Sequence, residues 1–84
     1  MKFEYSLHCL EQISVRSISK EIVEIVLNEP DATIQENDNQ IVFQKVVENY
    51  LYRVFINTNK NPALIKTVYR TSKINKYLNY ESKI

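Results

Sequence analysis

The sequence predicts an α+β domain in which two N-terminal helices pack on a four-stranded antiparallel sheet and a short C-terminal helical turn follows the last strand. Two serine-capped segments with apolar residues at helical spacing precede Pro30. After Pro30 the chain changes to short runs of β-branched and aromatic residues separated by asparagine-rich turns. Because a chain of 84 residues buries one modest core, we expect a single domain over residues 1–84.

Each predicted helix begins after a serine that can cap it. Ser6 is the expected N-cap of a helix that runs to about Ser14, and Ser19 is the expected N-cap of the second helix. The predicted apolar stripes are Leu7, Leu10 and Ile13 in the first helix and Ile18, Ile22, Ile25 and Val26 in the second. Pro30 disfavours helix at Glu29 and therefore ends the second helix there.

Four runs of residues are predicted to form the sheet. They are Ala32 to Glu36, Gln40 to Val47, Tyr50 to Thr58, and Ala63 to Thr71. The connections between them are short enough for hairpins, so we expect an antiparallel meander. The chain has no glycine, which excludes Gly-rich phosphate loops and dinucleotide fingerprints. Asparagine is expected to take the positive-φ turn positions instead.

Strand alternation predicts one apolar and one cationic face of the sheet. In the third strand Tyr52, Val54 and Ile56 oppose Arg53 and Phe55, and in the fourth Ile65, Thr67 and Tyr69 oppose Lys66, Val68 and Arg70. The helices are expected to cover the apolar face and to leave the other at least partly open. Thr71 is the expected N-cap of a last helical turn that docks through Ile74, Tyr77 and Leu78.

The small net charge of +1 conceals an asymmetry between the two parts of the chain. Residues 1–52 carry four cations and nine acidic residues, whereas residues 53–84 carry seven cations and a single acidic residue, Glu81. The basic half can attract a polyanion such as RNA. The alternative is that the acidic helices lie against the basic sheet and neutralise it.

Other sequence features limit the class of protein. One cysteine, Cys9, excludes an internal disulfide, and one histidine, His8, falls short of a zinc ligand set, so we expect neither a metal nor a cofactor. Charges interrupt every apolar stretch, and the N-terminus lacks an apolar leader, so the expected compartment is the cytoplasm, without membrane contact.

Several motifs in order carry a family resemblance. They are His8 after a polar N-cap, Arg16-Ser17-Ile18-Ser19, Leu27-Asn28-Glu29-Pro30-Asp31, Phe43-Gln44-Lys45, Arg53-Val54 and Thr67-Val68-Tyr69-Arg70-Thr71-Ser72-Lys73. Over nearly the whole chain this pattern resembles the uncharacterised domain family 4258. More distantly, the layout resembles the RelE and BrnT type toxins of bacterial toxin–antitoxin pairs, which are metal-independent endoribonucleases. The resemblance implies a RelE-like fold and a toxin-type protein that cleaves RNA and is restrained by an antitoxin.

Metal-independent RNA cleavage needs a base, an acid and cations that stabilise charge on phosphorus. His8 is the candidate base, and Tyr69 or Tyr77 is the candidate acid, because neighbouring cations are expected to lower a phenol's pKa. Arginine forks suit phosphate oxygens. The predicted catalytic residues are His8, Tyr69, Arg70 and Lys73, and the predicted RNA-binding residues are Arg53, Lys66, Thr71 and Lys76.

Structural roles remain open for the same residues. His8 can cap or pack, Tyr69 can belong to the core, and Arg16 can serve the carbonyls that end the first helix. Two other classes of function also remain open. A non-catalytic domain would bind single-stranded RNA by stacking bases on tyrosine rings. An interaction module would hold an acidic protein, such as an antitoxin, on its sheet edge or basic face.

Overall fold

The computed structural model describes residues 2–77, which form a five-stranded mixed sheet with two helices on one face. The elements are β1 (Phe3–Tyr5), α1 (Leu7–Val15), α2 (Lys20–Asn28), β2 (Ala32–Asn37), β3 (Gln40–Val47), β4 (Tyr50–Asn57) and β5 (Ala63–Thr71). Residues 74–77 form a helical turn, which we call the C-terminal turn. The strand order is β1-β5-β4-β3-β2. The β1–β5 pair is parallel, and the other pairs are antiparallel.

The predicted RelE-like arrangement of two helices on a four-stranded antiparallel sheet is wrong. The described residues form five strands and three helical segments, and the additional strand, β1, makes the sheet mixed. Its three residues pair with the start of β5, where Phe3 lies opposite Ala63 and Tyr5 opposite Ile65. A strand of three residues is too short to show alternation, and its pairing partner lies 60 residues away in the sequence.

The two serine caps are confirmed. The Ser6 hydroxyl accepts a hydrogen bond from the Cys9 backbone N–H at 3.0 Å, and the Ser19 hydroxyl accepts one from the Ile22 N–H at 3.2 Å. Each helix has nine residues, and no helix of the described chain is long and apolar enough to span a membrane.

The apolar stripe of α2 differs from its prediction. Val23 and Val26 are fully buried, whereas Ile25 is 43% exposed. Because α2 begins at Lys20, Ile18 precedes the helix and is not part of its apolar face. Ile18 is nevertheless buried, since the turn between the helices carries it into the core.

The end of α1 is a Schellman motif built without glycine. The Ser17 N–H donates to the Ser14 carbonyl at 3.2 Å, and the Ile18 N–H donates to the Ile13 carbonyl at 2.9 Å. Ser17 has φ 55°, in the left-handed region. The other non-glycine residue with positive φ among residues 2–77 is Glu48, in the β3–β4 turn, so the prediction that asparagine takes these positions is wrong. The hydrogen bonds of the motif fix the backbone here, whatever side chain is present.

A bulge in β5 changes which of its residues face the helices. Phe55 pairs with Thr67, but the next residue, Ile56, pairs with Ile65, so Lys66 is the extra residue. Ile65 therefore lies on the helix side with Val68, while Thr67 and Tyr69 lie on the opposite side with Phe55. The predicted alternation, which placed Ile65 with Tyr69, is wrong because strict period 2 does not allow for the bulge.

The two faces of the sheet have different cores. The helix side holds a cluster of apolar residues that comprises Cys9, Ile13, Ile18, Val23, Val26, Tyr52, Val54, Ile56, Ala63, Ile65 and Val68. On the other side Val42, Gln44 and Leu51 are fully buried, and Arg53 is 8% exposed. The second face is therefore less open than expected, and the ring of Tyr77 in the C-terminal turn lies over Arg53. Leu78, which was predicted to dock with this turn, lies outside the described residues.

We expect Ser17→Gly to stabilise the protein by about 0.5–1 kcal/mol. A β-carbon in the left-handed region costs about 1–2 kcal/mol, and the greater flexibility of glycine in the unfolded chain offsets part of this gain. Urea unfolding measures the difference. Ser14→Gly is the matched control, because Ser14 lies inside α1, where glycine is expected to lower the free energy of unfolding by about 0.5 kcal/mol. A loss of stability in Ser17→Gly would contradict the role of the Schellman motif.

Candidate functional site

Arg53 is the centre of the candidate site, on the face of the sheet opposite the helices. Its Nε donates to Gln44 Oε1 at 3.1 Å, and its Nη1 donates to the Tyr69 hydroxyl at 2.8 Å. Strand register produces both contacts, because Gln44 and Tyr69 lie directly opposite Arg53 on the two neighbouring strands. A row of three side chains across β3, β4 and β5 therefore holds the guanidinium in place.

Three aromatic rings surround the Arg53 guanidinium. Its Cζ lies 4.4 Å from the ring centroid of Tyr77, 5.3 Å from that of Phe55 and 5.8 Å from that of Tyr69. Such distances allow cation–π attraction, which stabilises the cation without neutralising it. Phe55 and Tyr69 belong to the sheet, whereas Tyr77 belongs to the C-terminal turn, so the turn completes the enclosure of Arg53.

The charge of Arg53 has no acidic partner among residues 2–77. The one ion pair with an N···O distance of 4.0 Å or less in this part of the chain joins Lys45 to Asp31, at 3.4 Å. The sequence left open that the acidic helices neutralise the basic half of the chain. Among residues 2–77 no ion pair joins those helices to the basic half. Burying an ion without a counter-charge costs on the order of several kcal/mol. Arg53 also uses only two of its five N–H donors in the hydrogen bonds described above.

A cavity of about 700 Å³ lies next to Arg53, between β2 and the C-terminal turn. Its lining comprises Ile34, Gln35, Glu36, Asn37, Arg53, Lys76 and Tyr77. The two cations outnumber the single carboxylate, Glu36, whose Oε1 accepts a hydrogen bond from Gln40. Its volume falls within the range of about 300–1,000 Å³ typical of ligand sites. The cavity can therefore admit a ligand that carries negative charge.

Gln44 belongs to the family motif Phe43-Gln44-Lys45 but was not predicted as a site residue. It is fully buried, and its Nε2 has no hydrogen-bond partner among the described residues. Buried polar atoms without partners are uncommon and often lie at functional sites. The sequence contains a signal, since Gln44 interrupts the apolar alternation of Val42 and Val46 on one face of β3. A glutamine at that place indicates a polar partner on the next strand.

Tyr69 is a neutral phenol in this site. Burial raises its pKa above the ordinary value of 10.0, the hydrogen bond with Tyr77 raises it further, and the contacts with Arg53 lower it in part. The expectation that nearby cations would lower this pKa is wrong because burial has the larger effect. A phenol with a raised pKa keeps its proton at neutral pH, so Tyr69 can donate a hydrogen bond or a proton there.

Three of the eight predicted site residues lie together in this region. Arg53 and Tyr69 are hydrogen-bonded, and Lys76 lines the same cavity as Arg53. Arg70 lies one residue beyond Tyr69 and therefore on the helix side of the sheet, where its guanidinium carbon is 5.0 Å from the Tyr50 ring centroid.

The other predicted residues lie at exposed or half-buried positions elsewhere. His8 is exposed in the first turn of α1, where the lining of its cavity includes none of Tyr69, Arg70 and Lys73. Lys66 Nζ donates to Gln40 Oε1 at 2.8 Å. The Thr71 hydroxyl accepts from the Lys73 backbone N–H at 3.0 Å, and Lys73 is exposed. No group of three or more His, Cys, Asp or Glu side chains suited to a metal ion occurs between residues 2 and 77.

The pKa of Tyr69 predicts an alkaline dependence of stability. Because the folded protein holds this proton more tightly than the unfolded chain, the group destabilises the fold as the pH rises above the ordinary pKa of 10.0. Below that pH the contribution is constant. We expect the free energy of unfolding of Tyr69→Phe, measured with urea, to fall less steeply with pH above about pH 10 than that of the wild type. Tyr50→Phe, at a 41% exposed position, is the control for removal of a phenol outside this site. Equal slopes for Tyr69→Phe and wild type would refute the assignment.

Comparison with known proteins assigns the chain to a family without assigning an activity. Residues 5–70 match the family described as a domain of unknown function, DUF4258. Comparisons with curated proteins and with solved structures gave no match, and the predicted similarity to RelE and BrnT type toxins is not confirmed. The matched segment runs from the last residue of β1 to the penultimate residue of β5 and includes Gln44, Arg53 and Tyr69. The chain belongs to the DUF4258 family.

Proposed function

We propose that this domain binds RNA and that Arg53 holds a phosphate group at the cavity between β2 and the C-terminal turn. The observation that carries the proposal is a buried guanidinium whose described partners are an amide, a phenol and three rings, with no carboxylate among them. A phosphate would supply the missing negative charge. Arginine presents parallel N–H groups that match two phosphate oxygens.

Charge and aromatic rings favour a nucleic acid over a small anion. Residues 53–77 contain six cations and no acidic residue, which suits a polyanion. Tyr77 lies beside Arg53 and also lines the cavity, so an unpaired base can stack near the bound phosphate. Single-stranded RNA offers both its phosphates and its unstacked bases to such a site.

We propose further that the same site cleaves RNA without a metal. The 2′-oxygen attacks the adjacent phosphorus and gives its proton to water, while the bond from phosphorus to the 5′-oxygen breaks. Arg53 stabilises the charge on the phosphate oxygens, and neutral Tyr69, whose hydroxyl lies 2.8 Å from Arg53 Nη1, donates its proton to the departing 5′-oxygen. The products are a 2′,3′-cyclic phosphate and a 5′-hydroxyl, and water then returns a proton to Tyr69. An antitoxin-like protein that covers the cavity would restrain this activity.

The binding proposal predicts that Gln44→Glu weakens RNA binding while the fold is kept. The substitution is nearly isosteric and places a carboxylate beside Arg53, where it competes with phosphate. Fluorescence anisotropy with a labelled single-stranded RNA at fixed salt is expected to show a loss of about tenfold or more, as expected when a charge-assisted hydrogen bond is lost. Asn61→Asp is the control, because it adds the same charge in the exposed β4–β5 loop.

Two results would overturn the binding proposal. One is wild-type RNA affinity in a folded Gln44→Glu protein. The other is the absence of saturable RNA binding by the wild type together with tight binding of an acidic protein, which would establish the interaction module instead. Circular dichroism and the urea midpoint establish that each variant is folded.

The cleavage proposal predicts that Tyr69→Phe, at saturating RNA, cleaves about 10²–10⁴-fold more slowly than the wild type, the range typical of a lost general acid. Product formation is followed on a denaturing gel with EDTA present, and mass spectrometry identifies the cyclic phosphate. Tyr50→Phe is the control and retains cleavage. Intact RNA after incubation with the wild type would refute the cleavage step and leave the binding proposal standing.

A further inference from the structure

A second cationic cavity lies at the edge of the sheet, near the end of β5 and beyond its pairing with β1. Its volume is about 340 Å³, and its lining comprises Arg16, Ile18, Tyr69 and Arg70. Arg16 is the C-cap residue of α1, and Arg70 is the penultimate residue of β5. Two arginines from different elements therefore meet at one cavity, and no carboxylate is part of its described lining.

Neutral groups hold both arginines in position. Arg16 Nη1 donates to the Val68 carbonyl at 2.7 Å, on the edge of β5 that β1 does not reach. The guanidinium of Arg70 lies 5.0 Å from the centroid of the Tyr50 ring. Neither arginine has a carboxylate within 4.0 Å among the described residues. Both side chains are exposed, and Arg16 keeps four N–H donors beyond the bond to Val68.

We propose that Arg16 and Arg70 form a second phosphate site, which takes another phosphate of the same RNA strand. Two like charges at one cavity repel each other, and a phosphate bound between them would remove that repulsion. The inference rests on the proposed function for the identity of the ligand. Arg70 follows Tyr69 directly, and the two side chains lie on opposite faces of the sheet. Because β5 ends at Thr71, an RNA strand can pass around this end from Arg53 to Arg70.

Two RNA probes of different length separate the two sites. A dinucleoside monophosphate has one phosphodiester and occupies the Arg53 site alone, whereas a single-stranded decamer reaches both sites. We expect Arg16→Gln and Arg70→Gln each to weaken decamer binding about tenfold and to leave dinucleoside monophosphate binding unchanged. Lys60→Gln is the control, because it removes one exposed charge in the β4–β5 loop.

Salt dependence gives an independent measure of the same site. The slope of log affinity against log salt for the decamer is expected to decrease by about 0.7 in each arginine variant, the value for one phosphate contact on a single strand. The double variant is expected to lose about the same amount as each single variant, since both arginines bind one phosphate. Lys60→Gln keeps the wild-type slope.

The outcomes distinguish failure of this inference from failure of the proposed function. Decamer binding that is unchanged in both arginine variants but weakened in Gln44→Glu would overturn the second site alone. Weakened decamer binding in both arginine variants with wild-type binding in Gln44→Glu would support the second site and overturn the Arg53 site. Displacement of the decamer by poly-glutamate at a lower concentration than by polyuridylate would overturn the phosphate assignment and indicate an acidic peptide.

Discussion

The desolvated guanidinium of Arg53 is the constraint on which the candidate site depends. Gln44 and Tyr69 reach it from the two neighbouring strands, so the register of β3, β4 and β5 must be kept for either hydrogen bond to form. The ring of Tyr77 in the C-terminal turn lies over the same group. A one-residue slip of β4 would move Arg53 into the apolar side of the sheet, so the site and the register are specified together.

The helix side of the sheet holds the main apolar core, whereas the opposite face holds the candidate site. The apolar cluster under α1 and α2 supplies most of the burial of apolar surface, with no charged residue in it. The edge of β5 is protected by β1 for its first three residues, and beyond them by Ser6 and Arg16, which bond to carbonyls of the strand. The apolar burial on the helix side offsets the free-energy cost of burying the Arg53 cation on the other face.

Local signals in the sequence predict most of the secondary structure. The Ser6 and Ser19 caps depend on residues a few positions apart, and the four long strands agree with their predicted bounds within one residue. The parts that the sequence did not predict depend on distant contacts. Three-residue β1 forms only because β5 offers an edge to it, and the bulge at Lys66 is visible only in the pairing with β4.

The candidate site follows the same division. Arg53, Tyr69 and Lys76 were predicted from residue type, and they gather because strand register and the C-terminal turn bring them together. Arg70 was grouped with them by its place in the sequence, yet adjacent strand residues point to opposite faces. The pKa of Tyr69 was predicted in the wrong direction because sequence shows neighbouring charges but does not show burial.

The central proposal is that the buried cation of Arg53 binds an anion. The most direct measurement is the ¹⁵N NMR signal of the Arg53 Nε–H group, assigned with Arg53→Lys, during titration with single-stranded RNA. The account predicts that this signal moves saturably, with the same midpoint as RNA binding measured by anisotropy. An Arg53 signal that stays fixed while RNA binds, or that follows the titration of a carboxylate in the free protein, would contradict it.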